Sequence, residues 1–255
     1  MRGTLIGLAV VAALAAGSLA LGGGLEDVKK KDTLTILVSP GAPFVMHDGK
    51  DKLMGFDIEL GEHLKKELGV KKLEWKEVAF EKLLADLASG QGDLALGGLS
   101  ITEERKKTLE FSAPYKEVGK ALLHRTGVAD PATVLAAEGT TSVEAAKKAF
   151  PKATVRVVPN ERAGAEEVLA GKADGLVSDT PFIRGFSKHH GGKVEWRDLP
   201  LLPNEPIAAA AAKGSESLLK AFDEMIAKIK KDGGYAKLEK EYFQDMGWIK
   251  KVKGD

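Results

Sequence analysis

The chain has 255 residues, 44% hydrophobic and 29% charged, with 38 Lys and Arg against 37 Asp and Glu. A net charge of +1 excludes the broad basic surface that nucleic acid or an anionic membrane would select. The length supports a full core and a division into two domains, and the absence of cysteine excludes a disulfide framework or a lipid-modified cysteine.

The N-terminus carries Arg2, an apolar run over residues 5–16 and small residues at Ser18 and Ala20. That order predicts a cleaved secretory signal peptide over residues 1–20. The apolar run is short for a membrane span, although an uncleaved anchor is the alternative. Cleavage removes one base and no acid, so the exported chain is close to neutral.

Thr33–Val38 reads as a first strand, followed by a helix over Phe56–Leu68 with Leu60, Leu64 and Leu68 on one stripe. A strand over 73–78, a helix over 81–89 and a strand over 93–96 complete a βαβαβ pattern, which implies a parallel sheet. Ligands of such sheets sit beyond the carboxyl ends of the strands. At that position stand Gly97 and Gly98, which allow close approach to the main chain, then the Ser100 hydroxyl and the planar fork of Arg105. These residues describe a grip for a small carboxylate. On spacing alone, a strand-turn-helix with a surface arginine fits equally well.

A second alternating unit begins with Thr133–Ala137. Thr141 and Glu144 have capping-box spacing for a helix through Phe150, and Gly139–Thr140–Thr141 would present backbone N–H groups to an anion. A strand over 155–158 precedes a helix capped by Asn160, and a strand over 176–178 delivers Asp179, either as a ligand acceptor or as a helix cap. A strand over 207–211 leads to an amphipathic helix capped by Ser215, with Leu218, Phe222, Met225, Ile226 and Ile229 on one face. Gly233 and Gly234 stop it, and a helix over 235–243 closes the chain.

The run GGLSITEERKKTLEFSAPY over residues 97–115 resembles the signature of family 3 periplasmic solute-binding proteins, the polar amino-acid receptors of ABC importers. Blocks at 55–70, 83–98, 138–150, 171–182 and 232–243 follow in that family's order, covering nearly all of the chain after residue 32. The resemblance implies an α/β, two-lobed type II periplasmic binding protein fold with two hinge strands, crossing near 121–125 and 206–210. Lobe 1 would comprise residues 21–122 and 208–255, and lobe 2 residues 123–207. It implies a monomeric, non-enzymatic periplasmic receptor that delivers an amino acid to a membrane permease, without metal or cofactor. It places Arg105, Ser100, Thr140 and Thr141 on the ligand carboxylate, Asp179 and the Gly98 carbonyl on its ammonium, and Phe80 against its side chain. Phe80 fits a core position beside Leu83 and Leu84 almost as well.

Two departures stand out. The first loop, SPGAPF, is one residue short and has Gly41 where the family carries an aromatic, which removes one wall against a flat or long cationic side chain. The segment 124–141 is also short, and Glu138 there either reads a cationic group or faces solvent. Asp57 and Glu59 read as first-turn helix acids. His189–His190 lacks neighbours with metal-ligand spacing. Two other readings remain open. One is a dehydratase of the same fold acting on prephenate-like acids, with Glu205 as the proton-transferring acid. The other is a sensory receptor signalling through a membrane partner.

Overall fold

The computed structural model describes residues 24–251, and the expected signal peptide lies outside the described residues. Two five-stranded sheets organise the chain. The first runs Lys72–Glu77, Thr33–Val38, Leu94–Leu96, Ala210–Ala212, Leu109–Phe111, parallel over the first three strands and antiparallel after them. The second runs Thr154–Val158, Thr133–Ala137, Gly175–Asp179, Lys120–Arg125, Val194–Asp198, again with three parallel strands followed by two antiparallel ones. Helices cover these sheets, so TLTILV is buried over five of its six positions, as a two-sided parallel strand requires. The alanine run 208–212 is fully enclosed, and its small side chains let helices approach the middle of the sheet from both faces.

The lobes meet at a short antiparallel ribbon in which Glu205–Ile207 pairs with Lys116–Val118. A bridge between Ser100 and Ile207 ties the ribbon to the first lobe. The first crossing thus runs through residues 116–119, ahead of the 121–125 expected, and the boundary expected after residue 122 falls inside a strand. Lys120–Arg125 is buried and paired on both edges within the second sheet. Its Ala-Leu-Leu core needs cover on two faces, which a free hinge cannot give.

The core of the first lobe centres on Phe56, whose ring lies 5.0 Å from Phe243 and 6.5 Å from Phe44 in edge-on contacts. The helix Glu216–Lys231 turns Leu218, Phe222, Met225, Ile226 and Ile229 into that core. Ser215 does not cap it: its hydroxyl is buried without a hydrogen-bond partner among the described residues. The last helix is shorter than expected, Gly234–Glu239, and widens into a π turn over Lys240–Asp245 before a 3-10 turn over Gly247–Lys250.

Candidate ligand-binding site

The carboxyl ends of the parallel strands in both sheets face one interlobe cavity of about 650 Å³. Phe80, Gly98, Ser100, Arg105, Thr140, Thr141 and Asp179 all line it. Their elements explain why. Gly97–Ser100 follows the strand Leu94–Leu96, Phe80 follows Lys72–Glu77, Thr140–Thr141 follows Thr133–Ala137, and Asp179 ends its own strand. Glu138, by contrast, is exposed and off the cavity wall.

The Gly97–Gly98 turn needs positive φ values, +139° and +67°, and a Cβ on Gly98 would stand 2.7 Å from the Phe44 ring. Asp57 holds the turn from beneath. Both glycine N–H groups donate to its Oδ2, at 2.7 and 2.9 Å, and the Tyr115 hydroxyl donates to the same carboxylate at 2.9 Å. Burial pushes Asp57 up to about 6 against the pull of those donors. The acid read as a first-turn helix residue therefore supports the ligand-facing turn.

Arg105 sits in the one-turn helix Glu103–Lys106, whose N-cap, Thr102, accepts from its backbone N–H. The guanidinium is buried over the Phe80 ring, 5.7 Å from the centroid. One N–H donates to the Ser100 carbonyl at 2.8 Å in the first lobe, and another to the Gly139 carbonyl at 3.2 Å in the second. Two of its five N–H groups are thus engaged, neither on a carboxylate. Burial lowers its pKa, while the charges of Glu205 and Asp179 act the other way.

The hydroxyls expected to meet a ligand are held by the protein. Ser100 Oγ donates to Glu205 Oε2 at 2.5 Å, and Thr141 Oγ1 donates to the same oxygen at 2.7 Å. Thr140 Oγ1 donates to the Ala137 carbonyl at 2.7 Å. With Thr141 drawn to Glu205, its side chain makes no capping bond to the helix Ser142–Ala149. Asp179 likewise sits at a helix N-cap without a side-chain cap bond, whereas Asn160 does cap, accepting from the Ala163 N–H at 2.8 Å.

Lys120 is a wall residue that local spacing does not single out. Its strand register sets it directly opposite Asp179, and its side chain is 3% exposed. Nζ donates to Asp179 Oδ1 at 2.6 Å and Thr141 Oγ1 at 2.8 Å, and lies 3.3 Å from Glu205 Oε2. Burial would lower the Lys120 pKa, but the two carboxylates outweigh it and raise it. For Glu205 burial pushes up, while Lys120 and the two hydroxyls prevail and hold it below the usual range. The signal in sequence is a lysine heading the apolar run Ala121–Leu123.

Glu161 is the second such wall residue, since its place after the Asn160 cap reads as an ordinary first-turn acid. Ser178 Oγ donates to its Oε2 at 2.6 Å, and its Oε1 would lie 3.3 Å from a Cβ built on Gly41 across the cleft. Burial, opposed by the Ser178 bond and aided by the charge of Asp179, pushes Glu161 up to about 8. His189 and His190 line the outer cavity, and among the described residues no three His, Cys, Asp or Glu side chains form a metal-holding group.

A two-lobed cleft with a buried arginine bridging both halves matches one family. Residues 34–245 fit the family described as bacterial extracellular solute-binding proteins, family 3. The chain belongs to that family. This family 3 protein is 27% identical over 258 residues to the ABC transporter glutamine-binding protein GlnH of Bacillus subtilis (strain 168), covering 93% of this chain and 94% of that one. Among solved structures it resembles the ancestral amino acid-binding protein AncCDT-1, a precursor of cyclohexadienyl dehydratase. That match has a TM-score of 0.77 at 32% identity over 86% of this chain and 99% of the other. It also resembles a binding component of an ABC transporter from Wolinella succinogenes complexed with lysine, with a TM-score of 0.80 at 30% identity over 86% and 99%. The family 3 protein thus has the two-lobed type II fold, and its function is that of a substrate-binding protein of an ABC importer.

Proposed function

We propose that this protein captures an α-amino acid in the interlobe cleft, outside the cytoplasmic membrane, and hands it as a monomer to a membrane permease without chemical change. The observation that carries the reading is Arg105. A buried guanidinium lines the cavity with bonds to two carbonyls and no ion pair among the described residues. Buried charge calls for an opposite charge, and a ligand carboxylate supplies it in bidentate form. Lys120 bonds to one oxygen of Asp179, which leaves the other for a ligand ammonium. The Arg105–Lys120 and Asp179–Glu205 charges balance, so a zwitterion enters without upsetting them.

The family's description as extracellular supports export, and no described helix is long and apolar enough to cross a membrane. GlnH and the Wolinella succinogenes protein are both named for binding. For the dehydratase reading, a proton-donating Glu205 would need a raised pKa, whereas Lys120, Ser100 and Thr141 hold it ionised.

Thermal unfolding of residues 21–255 against a panel of amino acids tests the reading. A ligand at a hundredfold excess over Kd adds about 2.7 kcal/mol to the folded state. At least one amino acid should raise the midpoint, and Arg105→Ala should abolish that rise. No rise with any amino acid, or a rise that persists in Arg105→Ala, overturns it.

A further inference from the structure

We infer that Glu161 is the specificity determinant for the ligand's side chain, and that this cleft selects a cationic amino acid. The inference rests on the amino-acid reading above.

The four charges nearest the amino-acid backbone site form a closed set. Lys120 serves both Asp179 and Glu205, and Arg105 awaits the ligand carboxylate. Glu161 stands outside that set. It lines the same cavity from the N-terminus of the helix Glu161–Leu169, and among the described residues its bonded partner is the Ser178 hydroxyl. That bond is 2.6 Å long, a geometry that suits the ionised form a cationic ligand would call up. The other oxygen, Oε1, faces Gly41 across the cleft, 3.3 Å from where a Cβ on that glycine would stand. With only hydrogen on Gly41, no side chain at that position covers Oε1.

Two charged groups face Glu161 from the neighbouring strands, and neither bonds to it. Asp179 disfavours its ionised form and Lys120 favours it, with Asp179 the stronger of the two. A carboxyl half-buried in the cleft wall, with one hydroxyl donor and no bonded cation among the described residues, is costly in its ionised form, so the empty cleft favours its protonated form. A ligand ammonium or guanidinium beside it supplies the missing charge. A neutral side chain would leave the acid protonated and gain at most one ordinary hydrogen bond. Selection for positive charge comes from this difference. The reading reverses the expectation drawn from Gly41 alone. The missing aromatic wall does not count against a long cationic side chain, because the same gap exposes an acid to it.

Calorimetric titration of the exported chain and its Glu161→Gln variant with L-arginine, L-lysine and L-glutamine tests this. Glutamine keeps the shape of the side chain and an acceptor for Ser178. The native protein should bind arginine or lysine at least about tenfold tighter than glutamine, and the variant should lose at least about tenfold on the cationic ligand, the size expected when one partner of a desolvated charge pair is neutralised. Glutamine affinity should stay nearly constant, which also reports that the cleft is intact. If the variant keeps its cationic affinity, or the native protein prefers glutamine, the inference fails while the amino-acid reading stands. If the native protein binds no amino acid, both fall.

Discussion

Asp57, buried, and Glu161, half-buried in the cleft wall, are acids whose protons the folded state holds more tightly than the unfolded chain does, with values raised to about 6 and about 8. For an acid shifted upward, stability is full below the unfolded value near ~4 and is lost as pH climbs to the folded value. Asp57 therefore erodes stability between about pH 4 and 6, and Glu161 continues the loss to about pH 8. Glu205, lowered in the fold, acts in the opposite sense and only in acid. The urea midpoint of the ligand-free protein should fall from pH 5 to pH 8, and Glu161→Gln should flatten the part above pH 6. A native midpoint that is level across this range would contradict the upward shift of both acids. Arg105 is legible in sequence because its turn and arginine are contiguous. Lys120 and Glu161 are not, because each matters through a partner across the fold, Asp179 for one and Gly41 for the other.

At the scale of elements, local patterning locates the strands and helices well and the caps poorly. Thr141 and Ser215 both have N-cap positions, and neither side chain makes the bond, while Asn160 does. A hydroxyl takes whichever acceptor and donor the tertiary structure brings near: Thr141 Oγ1 donates to Glu205 and accepts from the Lys120 ammonium in place of a backbone amide. The Gly97–Gly98 turn is the element on which the site depends most. Gly98→Ala should cost about 2–4 kcal/mol in denaturant unfolding, combining left-handed strain with overpacking against Phe44. A loss below about 1 kcal/mol would mean that the Phe44 ring yields freely and the turn is not held rigid.

At the scale of the molecule, two lobes touch through few groups around the cavity. Arg105 reaches the Gly139 carbonyl, Gly139 lies against the backbone of Glu81, and Trp248 packs on Gly185. Small interdomain contacts of this kind permit relative motion, with ligand contacts to both halves favouring closure. A Cβ on Gly139, itself at φ +73°, would meet Glu81 Cα at 3.1 Å. Gly139→Ala should therefore hinder closure, weakening ligand affinity by about tenfold or more while lowering apo stability by only about 1–2 kcal/mol. Small-angle scattering should show the native protein contracting on ligand addition and the variant contracting less. Equal contraction would show that the lobes do not close at Gly139.

The sequence by itself determined the α/β alternation, the two-part organisation and the arginine-bearing turn, because periodicity, glycine and contiguous motifs act over a few residues. Only the tertiary structure decided that Lys120 neutralises Asp179 and Glu205, that Asp57 supports the glycine turn, and that Glu161 faces Gly41. Those facts depend on distances between residues far apart in the chain, and on how much water the fold leaves around each charge. Neither is encoded in local spacing.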